Sequence, residues 1–283
     1  MNEHIPVYSW ARGGASIHLA QISRSDVQSA GSGQETVAIQ MQIQQTLWGA
    51  PGERIRVAQL HQPASETSRL KFPDPIWGRV DLQRRPTILL VTQESDHASG
   101  PLYVEEIRSA QDPVLLGLRE VLSSEGAKLT TGQRTTTYLR WLREHHPPQT
   151  LFAAEALAKD DDLKGLDKTG QVAQAFAHVF ATCSDVYLRL SVGTWMWEEI
   201  LQKTNAHGEV AILNASIQGL EDMNPDIVRF SLDQLTTVDP KKLEQPGIVK
   251  STLAVKFLRE ELQRTVDPDD RVQLQRLINA MPE

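Results

Sequence analysis

The spacing of apolar residues changes near residue 112, and this change constrains the fold more than any other feature of the chain. Before it, apolar side chains alternate with polar ones; after it, they recur at intervals of three and four residues. Alternation is typical of a strand with one buried face, and recurrence near 3.6 is typical of an amphipathic helix. The sequence therefore predicts an α+β protein, with an antiparallel β domain at residues 1–111 and an α-helical domain at residues 112–283.

The segment from Val37 to Gln44 is the clearest predicted strand. Its apolar side chains occupy every second position, and glutamines dominate the other face. Side chains alternate across a strand, so one face of this segment should be buried. Further strands are predicted around residues 17–19, 54–57, 87–92 and 102–107. Five or six short strands without an intervening long helix predict a small barrel or sandwich.

The second part of the chain contains about nine predicted helices. Thr130 and Gln133 have the spacing of a capping box ahead of one of them. Gly193 is a candidate break within another. The predicted helices cover residues 114–123, 138–145, 151–159, 171–181, 186–204, 210–221, 226–235, 249–264 and 269–280.

An Asx-Pro pair begins three of these helices, at Asp112, Asn224 and Asp267. The Asx side chain accepts a hydrogen bond from the first helical turn, and the following proline has no amide to leave unpaired. Three helices with the same favourable cap would explain the pattern, and so would an internal repeat. Asn224 and Asp267 are 43 residues apart (267 − 224), within the range of about 40–47 residues for HEAT and armadillo units.

The segment at residues 224–235, with its Asx-Pro start and Val228-Arg229 pair, resembles the beginning of a HEAT-repeat helix. The resemblance implies a HEAT-like helical array across residues 112–283. A generic helical bundle is the alternative. Arrays of this kind stack helix pairs into extended surfaces that bind other macromolecules.

A second resemblance concerns the strand, glycine turn and strand at residues 47–57, followed by the apolar run at residues 88–91. This arrangement is similar to the OB-like barrels of secreted or inhibitor-like modules. It implies binding of proteins or oligomers, and only the architecture is expected to carry over. The disulfides of the secreted members have no counterpart, because Cys183 is the single cysteine.

No catalytic, cofactor-binding or metal-binding residue is predicted. His145 and His146 are adjacent, and adjacent helical side chains point about 100° apart, so they do not easily hold one metal ion. We expect them at a helix end, and His178 packed within its own helix. Asp160–Asp162 is expected to form a solvated turn. Cys183 is expected to be a small buried hydrophobe.

Trp195 and Trp197 are the predicted partner-binding residues. Side chains two positions apart lie about 200° apart around a helix, so one indole should face the core while the other remains available. Tryptophan is a common anchor in protein interfaces. The alternative is a central helix that is buried on all sides.

The β domain also contains cations near aromatic residues, which is how OB barrels hold single-stranded nucleic acid. Residues 1–112 contain 10 Lys and Arg against 12 Asp and Glu, a net charge of −2, and this disfavours nucleic-acid binding by the β domain. Nucleic acid is therefore not the expected partner. The residues concerned are Arg54, Arg56, Lys71, Phe72, Trp77, Arg79, Arg84 and Arg85.

The predicted function is non-catalytic protein–protein interaction or scaffolding through the surface of the helical array, with a protein partner and no cofactor. One alternative is a hydrolase that uses His and Asp or Glu at the domain junction. The other is single-stranded nucleic-acid binding through the β domain. No apolar run approaches the ~20 residues that cross a bilayer. The N-terminus lacks a signal-peptide pattern, so a cytoplasmic location is expected, or export if a leader has been removed.

Overall fold

The computed structural model describes residues 7–30, 34–50, 55–63, 80, 84–93, 102–127, 129–160 and 170–281. The chain divides into two compact units, Ile5–Lys128 and Leu129–Glu283. The first helix after the sheet therefore belongs to the first unit, whereas periodicity placed the boundary at residue 112. This helix contacts the sheet, where its Arg119 donates a hydrogen bond to Gln45 at 3.2 Å.

The described residues of the first unit form a five-stranded antiparallel sheet and two helices. Its strands are in the order β3-β2-β1-β4-β5, and every neighbouring pair is antiparallel. The α+β class, with an antiparallel sheet followed by helices, is confirmed. The described strands form one open sheet with β3 and β5 at its edges. The elements are α1 (Val7–Arg12), β1 (Ala15–Ala30), β2 (Gln34–Trp48), β3 (Ile55–Pro63), β4 (Thr87–Gln93), β5 (Tyr103–Ile107) and α2 (Pro113–Gly126).

Both faces of the central strands are buried, which makes β1 and β4 the core of the first unit. Ile39 and Met41 of the clearest predicted strand are buried, and Gln42 and Gln44 are exposed. The predicted alternation is thus confirmed for these side chains. One face carries an apolar cluster of Ala20, Ile22, Ile39, Met41, Val80, Ile88, Leu90 and Val104. The opposite face buries Ile17, Leu19, Leu89, Val91 and Tyr103.

The second unit is helical throughout its described residues. Helix α5 packs against α3, α6 and α7, and α11 packs against α8, α9 and α10. All nine predicted helices are present, and the short α1 and α9 are additional in the described part. The elements are α3 (Thr131–Glu144), α4 (Pro147–Lys159), α5 (Gln171–Thr182), α6 (Val186–Trp195), a π-helical turn (Met196–Ile200), α7 (Ala206–Gly219), α8 (Pro225–Thr236), α9 (Pro240–Leu243), α10 (Thr252–Arg264) and α11 (Pro268–Ala280).

Asx-Pro pairs begin four helices in the described part of the chain. Asp112, Asn224 and Asp267 each accept a hydrogen bond from the backbone N–H two residues later, as predicted. Asp239 does the same for α9, which is a helix of only four residues. The cap chemistry therefore explains each helix start by itself. The HEAT-like repeat stays a prediction.

Helix α6 continues through Gly193 instead of breaking there. A Cβ at this position would lie 2.9 Å from the ring of Phe180 and 3.0 Å from that of Phe230, so the glycine permits close packing. The irregularity follows at the π-helical turn, where the N–H of Leu201 donates to the carbonyl of Met196 at 2.9 Å. An i→i+5 bond of this kind widens the helix locally.

Candidate functional site

A groove in the helical unit is the larger of two clefts described here, with a volume of about 640 Å³. Helices α5 and α7 form its floor, and the segment after α9 forms one wall. Small or apolar side chains alternate with neutral carboxamides around it. The lining residues are Gln174, Ala206, His207, Val210, Ala211, Asn214, Gln245, Pro246 and Gly247.

Asn214 fixes the wall of this groove. Its Nδ2 donates to the carbonyl of Gly247 at 2.9 Å, and its Oδ1 accepts from the N–H of Val249 at 2.8 Å. One carboxamide thus pairs with backbone groups two residues apart. Gly247 has φ = +96°, in the region that favours glycine because it has no Cβ. The wall is therefore held by a helix side chain and shaped by a glycine.

The charges around the groove do not form a catalytic pair. His207 is the only ionisable side chain among the described lining residues. Glu209 and Lys242 form an ion pair that joins α7 to α9 beside the groove. Acid–base catalysis needs ionisable groups within hydrogen-bond reach of a bound substrate, and this lining supplies one such group at most.

A smaller cleft of about 350 Å³ lies between the end of α8, α9 and α11. Asp239 and Arg276 are its ionisable lining residues. The carboxylate of Asp239 accepts a hydrogen bond from the N–H of Lys241 at 3.1 Å. Asp239 is therefore used as the cap of α9.

The two tryptophans occupy different environments. Trp197 is 7% exposed, and its Nε1 donates to the buried hydroxyl of Ser216 at 3.2 Å. Trp195 is half-buried, and the ammonium of Lys159 lies 5.9 Å from the centre of its ring. Lys159 also forms an ion pair with the buried Glu155 at 3.0 Å. Trp197 thus packs as the central-helix alternative expects, while partner binding by Trp195 and Trp197 stays a prediction.

Two histidines that are distant in sequence lie side by side. His145 ends α3 with φ = +57°, and its ring centre is 5.3 Å from that of His178 on α5. The Nε2 atom of His145 is buried without a hydrogen-bond partner. His178 is exposed, whereas we expected it to pack within its helix. Burial, then the charges of His178 and His146, lower the pKa of His145.

Sequence reasoning missed this histidine pair because it compared only adjacent residues. His145 and His178 are 33 positions apart (178 − 145), and they meet because α5 packs on α3. Neither histidine belongs to a motif of regular spacing. No local pattern could have identified the contact.

Two further predictions from the sequence concern Cys183 and Asp160. Cys183 is buried, and burial raises the pKa of its thiol. A protonated thiol is a poor nucleophile, which agrees with a packing role. Asp160 is buried and pairs with Arg134 at 3.0 Å, so it is not the solvated turn residue that we expected. Asp161 and Asp162 lie outside the described residues.

The basic and aromatic residues of the β domain lie mostly beyond what the structure describes. Arg84 and Arg85 are described and exposed. The side chain of Arg56 is outside the described residues, as are Arg54, Lys71, Phe72, Trp77 and Arg79. A contiguous Arg and aromatic face therefore stays a prediction.

Comparison with known protein families, with curated proteins and with solved structures gives no match. Within the described ranges, no group of three or more His, Cys, Asp and Glu side chains is arranged to hold a metal ion. The same part of the chain contains no helix with the length and apolar character needed to cross a membrane.

Proposed function

We propose that this protein is a non-catalytic interaction protein whose helical unit binds an extended segment of a partner protein. The binding site is the groove between α5, α7 and the segment at residues 245–247. The observation that carries the proposal is the lining of this groove. It combines a small and apolar floor with the neutral carboxamides of Gln174 and Gln245, beside the carboxamide of Asn214 that holds the wall.

This lining has the chemistry that an extended polypeptide needs. A carboxamide offers both a donor and an acceptor, so it can pair with a backbone carbonyl and a backbone N–H. Asn214 already makes this pairing with the protein's own backbone at Gly247 and Val249. The apolar floor around Val210 and Ala211 would take side chains of the partner. Where extended peptides add to a sheet edge, backbone hydrogen bonds give affinity and side-chain pockets give specificity; here the carboxamides would supply the backbone hydrogen bonds.

The size of the groove also suits a peptide segment of a few residues. Pockets that bind small ligands and short segments have volumes of about 300–1,000 Å³, and this one has about 640 Å³. A segment of a few residues would fill it. The rest of a partner would then contact the surface around the groove, where the Glu209–Lys242 ion pair lies.

The test uses a displayed library of random peptides and a variant with a blocked groove. Ala211→Trp places a large ring on the floor, and Gln263→Trp adds the same ring at an exposed position of α10, outside the groove lining. We expect selected peptides to bind the wild type and the Gln263 variant equally. They should bind the Ala211 variant at least about tenfold more weakly, which corresponds to about 1.4 kcal/mol.

Circular dichroism spectra and melting temperatures of both variants establish that each is folded. If no peptide is enriched over the display background, the groove does not bind extended segments. If enriched peptides bind all three proteins equally, they bind elsewhere. Either result would overturn the proposal.

A further inference from the structure

We propose that His145 and His178 form a binding site for a divalent transition-metal ion, with Zn²⁺ as the probe. The site lies at the junction of α3 and α5 and shares no residue with the groove lining. It consists of two imidazoles from different helices, with ring centres 5.3 Å apart and ring planes inclined at 38°. The proposal is independent of the peptide-binding function.

The spacing of the two rings suits a shared ion. A Zn–N bond is about 2.0–2.1 Å long, so the ring centre lies about 3.2 Å from the metal. At a tetrahedral angle of about 109°, two ring centres around one ion would be about 5.2 Å apart. The observed separation is 5.3 Å. The separation of the two ring centres therefore matches that of two imidazoles bound to a common ion.

The surroundings of His145 favour a metal-bound imidazole over an unbound one. Its Nε2 atom is buried and has no hydrogen-bond partner, and leaving a buried polar atom unpaired costs free energy that a ligand bond would recover. His145 is also the C-terminal cap of α3. Cations are stabilised at this end of a helix by the partial negative charge of its free carbonyls.

Access and protonation also suit metal binding. His178 is exposed, so an ion can approach from solvent. Imidazole binds a metal only in its neutral form. Neutral imidazoles predominate above the ordinary histidine pKa of about 6.5, so the ion is offered above that pH. With two protein ligands, water would occupy the other two positions of a tetrahedral ion, whereas catalytic zinc sites have three protein ligands and one open position.

The experiment is a Zn²⁺ titration of the full chain, without a histidine tag, at about pH 7.5. Binding is measured by calorimetry and by the imidazole signals in ¹H–¹⁵N NMR spectra. His145→Asn removes one ligand, and asparagine tolerates the left-handed backbone at this position. His178→Gln removes the other with a good helix former. His207→Gln is the control, because His207 is exposed and outside the pair.

We expect one Zn²⁺ per chain, with shifts of the His145 and His178 signals. Each of the two ligand variants should bind at least about tenfold more weakly, and the control should bind as the wild type does. Absence of binding up to 1 mM Zn²⁺ would overturn the proposal. Equal affinity in the wild type and both ligand variants would also overturn it. Ala211→Trp should leave Zn²⁺ binding unchanged, which separates this outcome from that of the peptide test.

Discussion

The guanidinium of Arg189 donates a hydrogen bond to the carboxylate of Asp222 at 2.7 Å, and this pair joins α6 to the turn between α7 and α8. The Nε of Arg189 also donates to the carbonyl of Phe180 at 2.5 Å. Burial alone would raise the pKa of Asp222, but hydrogen bonds from Arg189 and from the N–H of Asn224 outweigh it, so that pKa is below its usual value. The carboxylate is therefore charged at neutral pH. Helix α5, helix α6 and the turn after α7 meet at the guanidinium of Arg189.

Replacing Asp222 by alanine should destabilise the helical unit. Arg189 is only 7% exposed, so the variant leaves a buried cation without its carboxylate. We expect the free energy of unfolding to fall by about 2–3 kcal/mol, measured by urea denaturation. The control is Asp233→Ala, which breaks the exposed Arg229–Asp233 pair at 4.0 Å and should change stability by less than about 0.5 kcal/mol. Equal effects of the two variants would contradict the role of the Arg189–Asp222 pair.

Stability should depend on pH through His145. Its pKa is lowered in the folded protein, mainly by burial and then by His178 and His146. The unfolded chain therefore binds the proton more tightly. Stability is lost as pH falls from the ordinary histidine pKa of about 6.5 through the lower folded value. Between pH 7.5 and pH 5.5, His145→Asn should weaken the pH dependence of the urea midpoint, and His207→Gln should not. If stability depends on pH in the His145→Asn variant as it does in the wild type, the dependence does not come from His145.

Gly219 marks a close contact between α7 and α8. A Cβ at this position would collide with the hydroxyl of Ser231 and would lie 3.1 Å from its Cβ. Gly219→Ala should therefore lower the free energy of unfolding by about 1–3 kcal/mol. Gly132→Ala is the matched control, because a Cβ there meets nothing within 4 Å. The control should be neutral or stabilising by up to about 1 kcal/mol. Thermal melting of both variants measures these changes in stability. A Gly219→Ala variant as stable as the wild type would disprove the tight packing.

Asn214→Ala should release the groove wall without unfolding the unit. The variant removes the hydrogen bonds to Gly247 and from Val249. We expect a loss of about 1–2 kcal/mol in stability and faster hydrogen exchange at the Val249 amide. Gln218→Ala, at an exposed position of the same helix, should change neither quantity. Unchanged exchange at Val249 would show that the wall is held by other contacts.

Trp197 should contribute more to stability than Trp195. Trp197 is buried and donates to Ser216, so Trp197→Ala should lower the free energy of unfolding by about 3–5 kcal/mol. Trp195 is half-buried, and Trp195→Ala should cost about 1–2 kcal/mol. Urea denaturation measures both. Equal destabilisation of the two variants would contradict the larger contribution of the buried Trp197.

Local sequence chemistry determined where the helices and strands form. The side chain of Thr130 accepts from the N–H of Gln133 at 3.3 Å, and the side chain of Gln133 accepts from the N–H of Thr130 at 2.9 Å, as the capping-box spacing predicts. Ile39 and Met41 are buried as their alternation predicts. Such features depend on residues only a few positions apart, so the spacing of residue types is sufficient to predict them.

Tertiary structure alone decided which side chains meet. Arg189 and Asp222 are 33 residues apart, and so are Asn214 and Gly247. The periodicity of a helix indicates which face is apolar, but it does not say which helix covers that face or at what axial position. The packing of α3, α5, α6 and α7 sets those positions, because side chains of one helix must fit between those of the next. The groove and the histidine pair follow from that packing, whereas the placement of helix α2 with the sheet is set by contacts within the first unit.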